Sequence, residues 1–193
     1  MHFHDLHLFD RVLNMLPRNA LIVLLVAVFG IAGLFVVPKA VTVSNSVDGR
    51  ELPIYCVETE EKKVALSFDA AWGNEDTGKI LEILKKHDVH VTFFMTGGWV
   101  ESYPEDVKAI LAAGHDLGNH SENHKNMSQL SNEQKEQELQ KVHEKVKTLT
   151  GYEMFLFRPP YGDSDNAVVQ TAQKCGYYTI QWDIEIQVTK IKA

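Results

Sequence analysis

Cysteine is scarce in this chain, and histidine stops early. Among 193 residues only Cys56 and Cys175 are cysteines. That count excludes a zinc-finger or zinc-ribbon arrangement, which needs closely spaced thiols. A single disulfide between the two stays open. Cys175, in "AQKCGYY" beside an expected helix end, reads more simply as a small core residue. Positive charge is also short: 19 Lys and Arg against 26 Asp and Glu leave a formal charge of −7. Holding a phosphate backbone takes dense Lys and Arg, so nucleic acid is excluded as a partner. No internal repeat and no low-complexity tract occurs. The remaining composition, 45% hydrophobic and 23% charged, supports a packed core rather than a disordered chain.

Charge is absent altogether from residues 20–37, "ALIVLLVAVFGIAGLFVV". At about 1.5 Å per residue, a helix of that length nearly crosses a hydrocarbon core of about 30 Å. Arg11 and Arg18 precede it, which predicts residues 1–19 in the cytoplasm and the rest outside. A cleaved signal peptide would have a shorter apolar stretch, about 7–15 residues, and a small-x-small site. "VVPKAV" is a poor one, with Pro38 in the way. The expectation is a single-pass signal anchor over residues 20–37, with a buried core helix as the plainer alternative. Residues 38–62 then read as a mixed stem that carries "VDGREL" and has no helical period. The outer domain is expected over residues 63–193.

That domain alternates strand-like and helix-like segments. "KVALSF" is a short β-prone run. "EDTGKILEILKKHDV" places Ile80, Leu81, Ile83 and Leu84 on one helical face, with Asp76 or Thr77 as N-cap. "VHVTFFM" is a second strand, and "PEDVKAILAAG" a helix with Pro104 in its first turn and Gly114 as its stop. "HDLGNH" is a third strand. "SNEQKEQELQKVHEKVKTLTG" is a long amphipathic helix: Ser131 and Gln134 have capping-box spacing, Leu139, Val142, Val146 and Leu149 make its stripe, and Gly151 ends it. "FLFRP" is a fourth strand, "DNAVVQTAQKCG" a helix, and "YYTIQW" a fifth strand. This alternation predicts a parallel α/β sheet or barrel. In both, functional residues gather at the carboxyl ends of strands. Asp69, His120, Arg158 and the Trp182-Asp183 pair all fall at such ends, which predicts one shared rim.

Three polar segments occupy those ends: "SFDAAWGNEDT" (67–77), "GNHSENH" (118–124) and "RPPYG" (158–162). His120 and His124 are four apart, a spacing that puts both on one side of a helical turn. Two neutral imidazoles and a carboxylate leave coordination positions open for water and substrate, as catalytic zinc sites do. Ordinary loop histidines are the plainer alternative. His115 and His143 have no partner at ligand spacing and read as structural or solvent-exposed. His2, His4 and His7 lie on the other side of the anchor.

In order and context these segments, with "VTFFMTGGWV" and "AAGHDLGNH", resemble the polysaccharide deacetylases. This is carbohydrate esterase family 4, with the NodB-homology domain. The anchor and the "FDAAWGNEDT" variant look most like its sporulation-associated branch. The resemblance implies a distorted (β/α) barrel and hydrolysis of N-acetyl groups on an extracytoplasmic glycan: peptidoglycan first, chitin-type polymers next. It implies Asp69 as general base, Arg158 as its ion-pair partner and His120 and His124 as metal ligands. It also implies an oxyanion-binding backbone N–H at Tyr161, with Pro159 and Pro160 fixing that loop. Zinc is the default metal; cobalt, nickel or manganese also suit imidazole and carboxylate. Trp72, Trp99 and Trp182 are each either sugar-stacking or packing residues.

The chain departs from the family pattern in two places. The commonest first motif has a second aspartate that binds metal; here that position is Ala70. Asp76 is the nearest substitute as third ligand, with Glu75 next, and water is the alternative. The family's last motif supplies an acid histidine, whereas no histidine follows His143. The barrel is therefore expected to be C-terminally incomplete, with reduced stability and activity. A catalytically inactive, membrane-anchored glycan-binding or morphogenetic protein is the rival reading.

Overall fold

The computed structural model describes residues 46–184. The expected cytoplasmic segment, the anchor over residues 20–37 and the tail beyond 184 lie outside the described residues. Among the described residues, no helix is long and apolar enough to cross a membrane.

A hairpin comes first: β1 (Ser46–Val47) pairs antiparallel with β2 (Arg50–Glu51). Asp48 and Gly49 turn it, both with positive φ (51° and 76°), as a two-residue turn matched to strand twist demands. Five parallel strands follow: β3 (Ser67–Ala70), β4 (Thr92–Met95), β5 (Asp116–Asn119), β6 (Leu156–Phe157) and β7 (Tyr178–Thr179). They pair strictly in sequence order, β3-β4-β5-β6-β7. A doubly wound sheet reverses direction at a switch point; among the described residues this one does not, which is the winding direction a barrel uses. Among the described residues β3 is paired on one side only, to β4.

Helices connect the strands: α1 (Thr77–Lys86), α2 (Gly97–Ser102), α3 (Pro104–Ala112), α4 (Asn132–Thr150) and α5 (Asn166–Lys174). α4 follows its sequence signals closely. Ser131 accepts from the Gln134 N–H, the Gln134 side chain answers to the Ser131 N–H, and Gly151 closes the helix at φ 75°. Leu139, Val142 and Val146 are buried and pack with Phe157, Leu117, Val107 and Ile110 in one core. Burying side chains of this size is worth about 1.5–3 kcal/mol each.

Several expectations need correction. The first strand begins at Ser67 rather than Lys63 and runs on through Ala70. Ile83 is 58% exposed; the buried face of α1 is Thr77 and Leu84, with Ile80 and Leu81 partly covered. Asp76 holds the N-cap position, but its side chain makes no capping bond. Helix α2 was not expected; Thr96 starts it by accepting from the Trp99 N–H. His115 precedes β5 rather than sitting inside it. It is buried against His90 and Phe93. Cys56 and Cys175 are both free thiols, and Cys175 packs against the core.

The segment read as a stem is not separate from the domain. Ile54 bridges in parallel to Ile180, its N–H donating to the Thr179 carbonyl at 2.8 Å. The hairpin is held by Asn166 of α5, which accepts from the Glu51 N–H and donates to the Gly49 carbonyl. Loop residues with unpaired backbone groups would cost free energy here, and these bonds satisfy them.

Candidate active site

Three strand ends supply the rim. Asp69 is the third residue of β3, and its side chain is 37% exposed. His120 follows β5 directly, and Arg158 follows β6. Because the sheet is parallel, all three ends point the same way. The residues meet: Arg158 Nη1 donates to Asp69 Oδ1 at 2.6 Å, and Nη2 donates to Ser67 Oγ at 2.7 Å. The other carboxylate oxygen, Oδ2, lies 3.8 Å from His120 Nε2. Arg158 is buried, with its guanidinium over the Phe94 ring (4.1 Å) and near Trp182 (5.7 Å). A planar guanidinium that forks to two acceptors and stacks on a ring is fixed in direction as well as charge. Gly118 makes room for this: a Cβ there would stand 2.4 Å from the Phe94 ring.

The His120 tautomer follows from one bond. Nδ1 lies 2.7 Å from the Arg158 carbonyl oxygen. A carbonyl only accepts, so Nδ1 carries the hydrogen and Nε2 presents a lone pair toward the Asp69 carboxylate. Burial holds His120 below its ordinary pKa, against the upward pull of Asp69 and of the Arg158 carbonyl. The imidazole is thus neutral, as a metal ligand must be.

His124 stands beside it, with ring centroids 5.0 Å apart. The helical turn expected between the two histidines is absent. Ser121 and His124 both take positive φ (64° and 53°), and the Ser121 hydroxyl accepts from the His124 N–H. A loop, rather than a helix face, brings the rings together. Asn119 sets its start, accepting from the Ser121 N–H while donating to the Leu139 carbonyl and the Tyr177 hydroxyl.

Tyr161 lies across from His124, with ring centroids 4.6 Å apart. Pro160 opens a short 3₁₀ turn over Pro160–Gly162, in which Tyr161 takes φ 59°. The N–H groups of Gly162 and Asp163 close that turn onto the carbonyls of Pro159 and Pro160. Trp72 is 80% exposed and meets His124 edge-on at 5.6 Å. Trp99 is buried and donates from Nε1 to the Gly73 carbonyl at 2.6 Å, so its role is packing. Trp182 is half-buried over Arg158. His143 is structural, tied to the Tyr177 hydroxyl and to Glu153.

The donor chemistry fits a divalent cation in part. Nε2 of His120 is free of its proton and faces a carboxylate. Nδ1 of His124 is buried without a hydrogen-bond partner. Asp76, expected as a third ligand, is exposed at the start of α1. Among the described residues no three His, Cys, Asp or Glu groups are spaced to hold a metal ion. Two imidazoles are therefore the ligands these residues offer, with the remaining positions left to water and substrate.

Acid is expected to weaken this arrangement. Burial depresses His115, His120 and His124 below the ordinary 6.5. The unfolded chain takes up these protons near 6.5, while the folded chain resists them to lower pH. The stabilisation is complete above 6.5 and is lost as pH falls through the depressed values. Imidazole proton shifts followed by NMR should titrate below 6.5 for all three residues. The urea midpoint should be lower at pH 5 than at pH 7.5; imidazole titration midpoints at or above pH 6.5 would contradict the burial argument.

Sequence reasoning missed Ser67 as the second acceptor for Arg158, although it stands two residues before Asp69 on the same strand face. It also missed Glu138 and Lys145. Both lie on α4 among surface-like charges, and nothing in the sequence marks them as reaching the histidine loop.

A model of the polysaccharide deacetylase family matches residues 57–180. The peptidoglycan-N-acetylmuramic acid deacetylase PdaA of Bacillus subtilis is 36% identical over 155 residues, covering 80% of this chain and 59% of its own. The solved structure of PdaA, a family 4 carbohydrate esterase, aligns with a TM-score of 0.68 at 36% identity, covering 72% of this chain and 60% of that one. A CE4 family pseudoenzyme from Bacillus anthracis aligns with a TM-score of 0.66 at 40% identity, covering 68% of this chain and 47% of that one. The chain spans about half the length of the curated relatives it matches. A match that runs through every strand from β3 to β7, and through the rim they carry, means that the chain belongs to the polysaccharide deacetylase family.

Proposed function

We propose that the protein is a metal-dependent deacetylase that hydrolyses N-acetyl groups of an extracytoplasmic glycan, peptidoglycan before chitin-like polymers. The observation that carries this is the divided use of the Asp69 carboxylate. Oδ1 is pinned by Arg158, while Oδ2 is turned toward the imidazole pair. A carboxylate held this way accepts a proton from one direction, as a general base must. His120 and His124 would hold the cation, with zinc the default and cobalt, nickel or manganese suited as well. When bound, the metal polarises the amide carbonyl and acidifies water. Asp69 takes the proton of the attacking water, the C–N bond breaks, and the same carboxyl then holds the proton the departing amine needs. Tyr161 lines the rim opposite, where its backbone N–H can face the developing oxyanion. Exposed Trp72 and Tyr161 flank His124 and offer faces for sugar rings. Residues 20–37 would anchor the chain as a single-pass membrane protein with this domain outside.

The relatives support this reading through what they are described as doing. PdaA is a peptidoglycan deacetylase, as is a 35%-identical protein of Bacillus cereus that acts on N-acetylglucosamine. Ala70 favours the second reading, an inactive glycan binder, and the Bacillus anthracis relative is a pseudoenzyme. The test is acetate release by the full chain from N-acetylglucosamine oligomers and from peptidoglycan, with zinc, cobalt, nickel or manganese supplied in turn. Metal-stimulated acetate release is the expected result. A chain that sediments with peptidoglycan but releases no acetate with any of the four metals establishes the inactive reading.

A further inference from the structure

Of the three residues between the paired histidines, two, Glu122 and Asn123, are gripped by α4. Asn123 is held by Glu138: its N–H donates to Oε2 at 2.7 Å, and its Nδ2 donates to Oε1 at 2.7 Å. Glu138 is a carboxylate only 5% exposed. Such a group is expensive to bury unless its lone pairs are used. Asn123 supplies two donors, and Lys125 stands 3.3 Å away. Glu122 is held by Lys145, whose Nζ lies 2.5 Å from Oε1 and also donates to Glu101 of α2 at 3.1 Å. The Glu122 carboxylate sits where only glycine leaves room, since a Cβ on Gly97 would be 1.8 Å from Oε2. The Gly97 N–H in turn donates to the Ser121 carbonyl.

Glu138 and Lys145 are seven residues apart, two helical turns, and so lie on one face of α4. They have opposite charges and take hold of consecutive loop residues. The loop needs such support because positive φ at Ser121 and His124 is unfavourable for these residue types. We infer that Glu138 and Lys145 are positioning residues, a two-point mount on α4 that sets the separation of the His120 and His124 imidazoles. This rests on the reading of those histidines as metal ligands; neither mount residue touches substrate or metal.

The mount has a testable polarity. In Glu138→Gln the amide oxygen still accepts one bond, but its NH2 then faces a donor of Asn123. Adding Asn123→Asp reverses that contact, so that the glutamine donates and the aspartate accepts. The experiment measures hydrogen exchange of the 121–125 amides and cobalt affinity by calorimetry, on the full chain. Glu138→Gln should speed exchange of the Asn123 and His124 amides about tenfold. It should also weaken cobalt binding about 10–100-fold, the usual effect of losing a group that orients a ligand. The double variant should restore both to within about threefold, which lost packing alone would not do. Lys145→Met should move the same amides through Glu122. Unchanged exchange in both single variants, or a double variant no better than Glu138→Gln, overturns the mount. If the wild-type chain binds no cobalt yet the exchange pattern holds, the mount stands and the metal reading falls.

Discussion

Asp69→Asn should lower acetate release by about 10²–10⁴-fold, the range a positioned general base contributes. Asparagine nearly matches aspartate in shape. Its Oδ1 can still accept from Arg158, so the rim should keep its geometry. What vanishes is the basic oxygen turned toward His120. The loss should therefore fall on kcat and on kcat/KM alike, because proton transfer belongs to the transition state. KM for an N-acetylglucosamine oligomer should stay within about threefold, as expected when ground-state binding is untouched. A variant that keeps more than a tenth of the wild-type rate would remove Asp69 from the chemistry.

Arg158→Leu is the second large effect, and it reads out first as stability. Removing one partner of a buried ion pair costs roughly 3–5 kcal/mol. The Asp69 side chain is 37% exposed and can rehydrate, so about 2–3 kcal/mol is the better expectation. Ser67 loses its donor as well, and the faces of Phe94 and Trp182 lose the group between them. Urea denaturation should show a lower midpoint with an unchanged slope. Arg158→Lys separates charge from shape. A lysine keeps the charge but cannot fork to Asp69 and Ser67 while lying flat on Phe94, so it should recover less than half of the loss. Full recovery by lysine would mean that charge alone matters.

Much of this molecule was legible because its signals are local. The capping box at Ser131, the glycine stop at Gly151 and the stripe of Leu139, Val142 and Val146 each depend on residues a few positions apart, and all appear as expected. The convergence of Asp69, His120 and Arg158 was legible for a different reason: in a parallel sheet, every strand end of one kind lies on the same side. What stayed hidden depends on contacts far apart in the chain. The "VDGREL" stretch read only as part of a stem, and nothing local says that a hairpin forms there and leans on Asn166. Ile83 fitted the apolar pattern of α1, yet no layer covers it. The histidine spacing suggested a helical turn because four residues is a helical number. The loop reaches the same proximity by left-handed backbone at two non-glycine residues, which no periodicity reveals. The buried Glu138 and half-buried Lys145 of α4 look like solvent-facing charges until the loop they grip is seen.

The pairing of Ile54 with Ile180 also orders events in time. Each strand from β4 onward can join a neighbour already made, so the sheet can grow as the polypeptide emerges. The opening segment has no such neighbour. Glu51 waits for an asparagine 115 positions later, and Ile54 waits for the residues just after β7. Closing so long a loop carries an entropic cost that grows only slowly with its length, but the encounter comes last. The first residues of the domain to be synthesised are therefore among the last to be locked, and the finished shape depends on their being free to return.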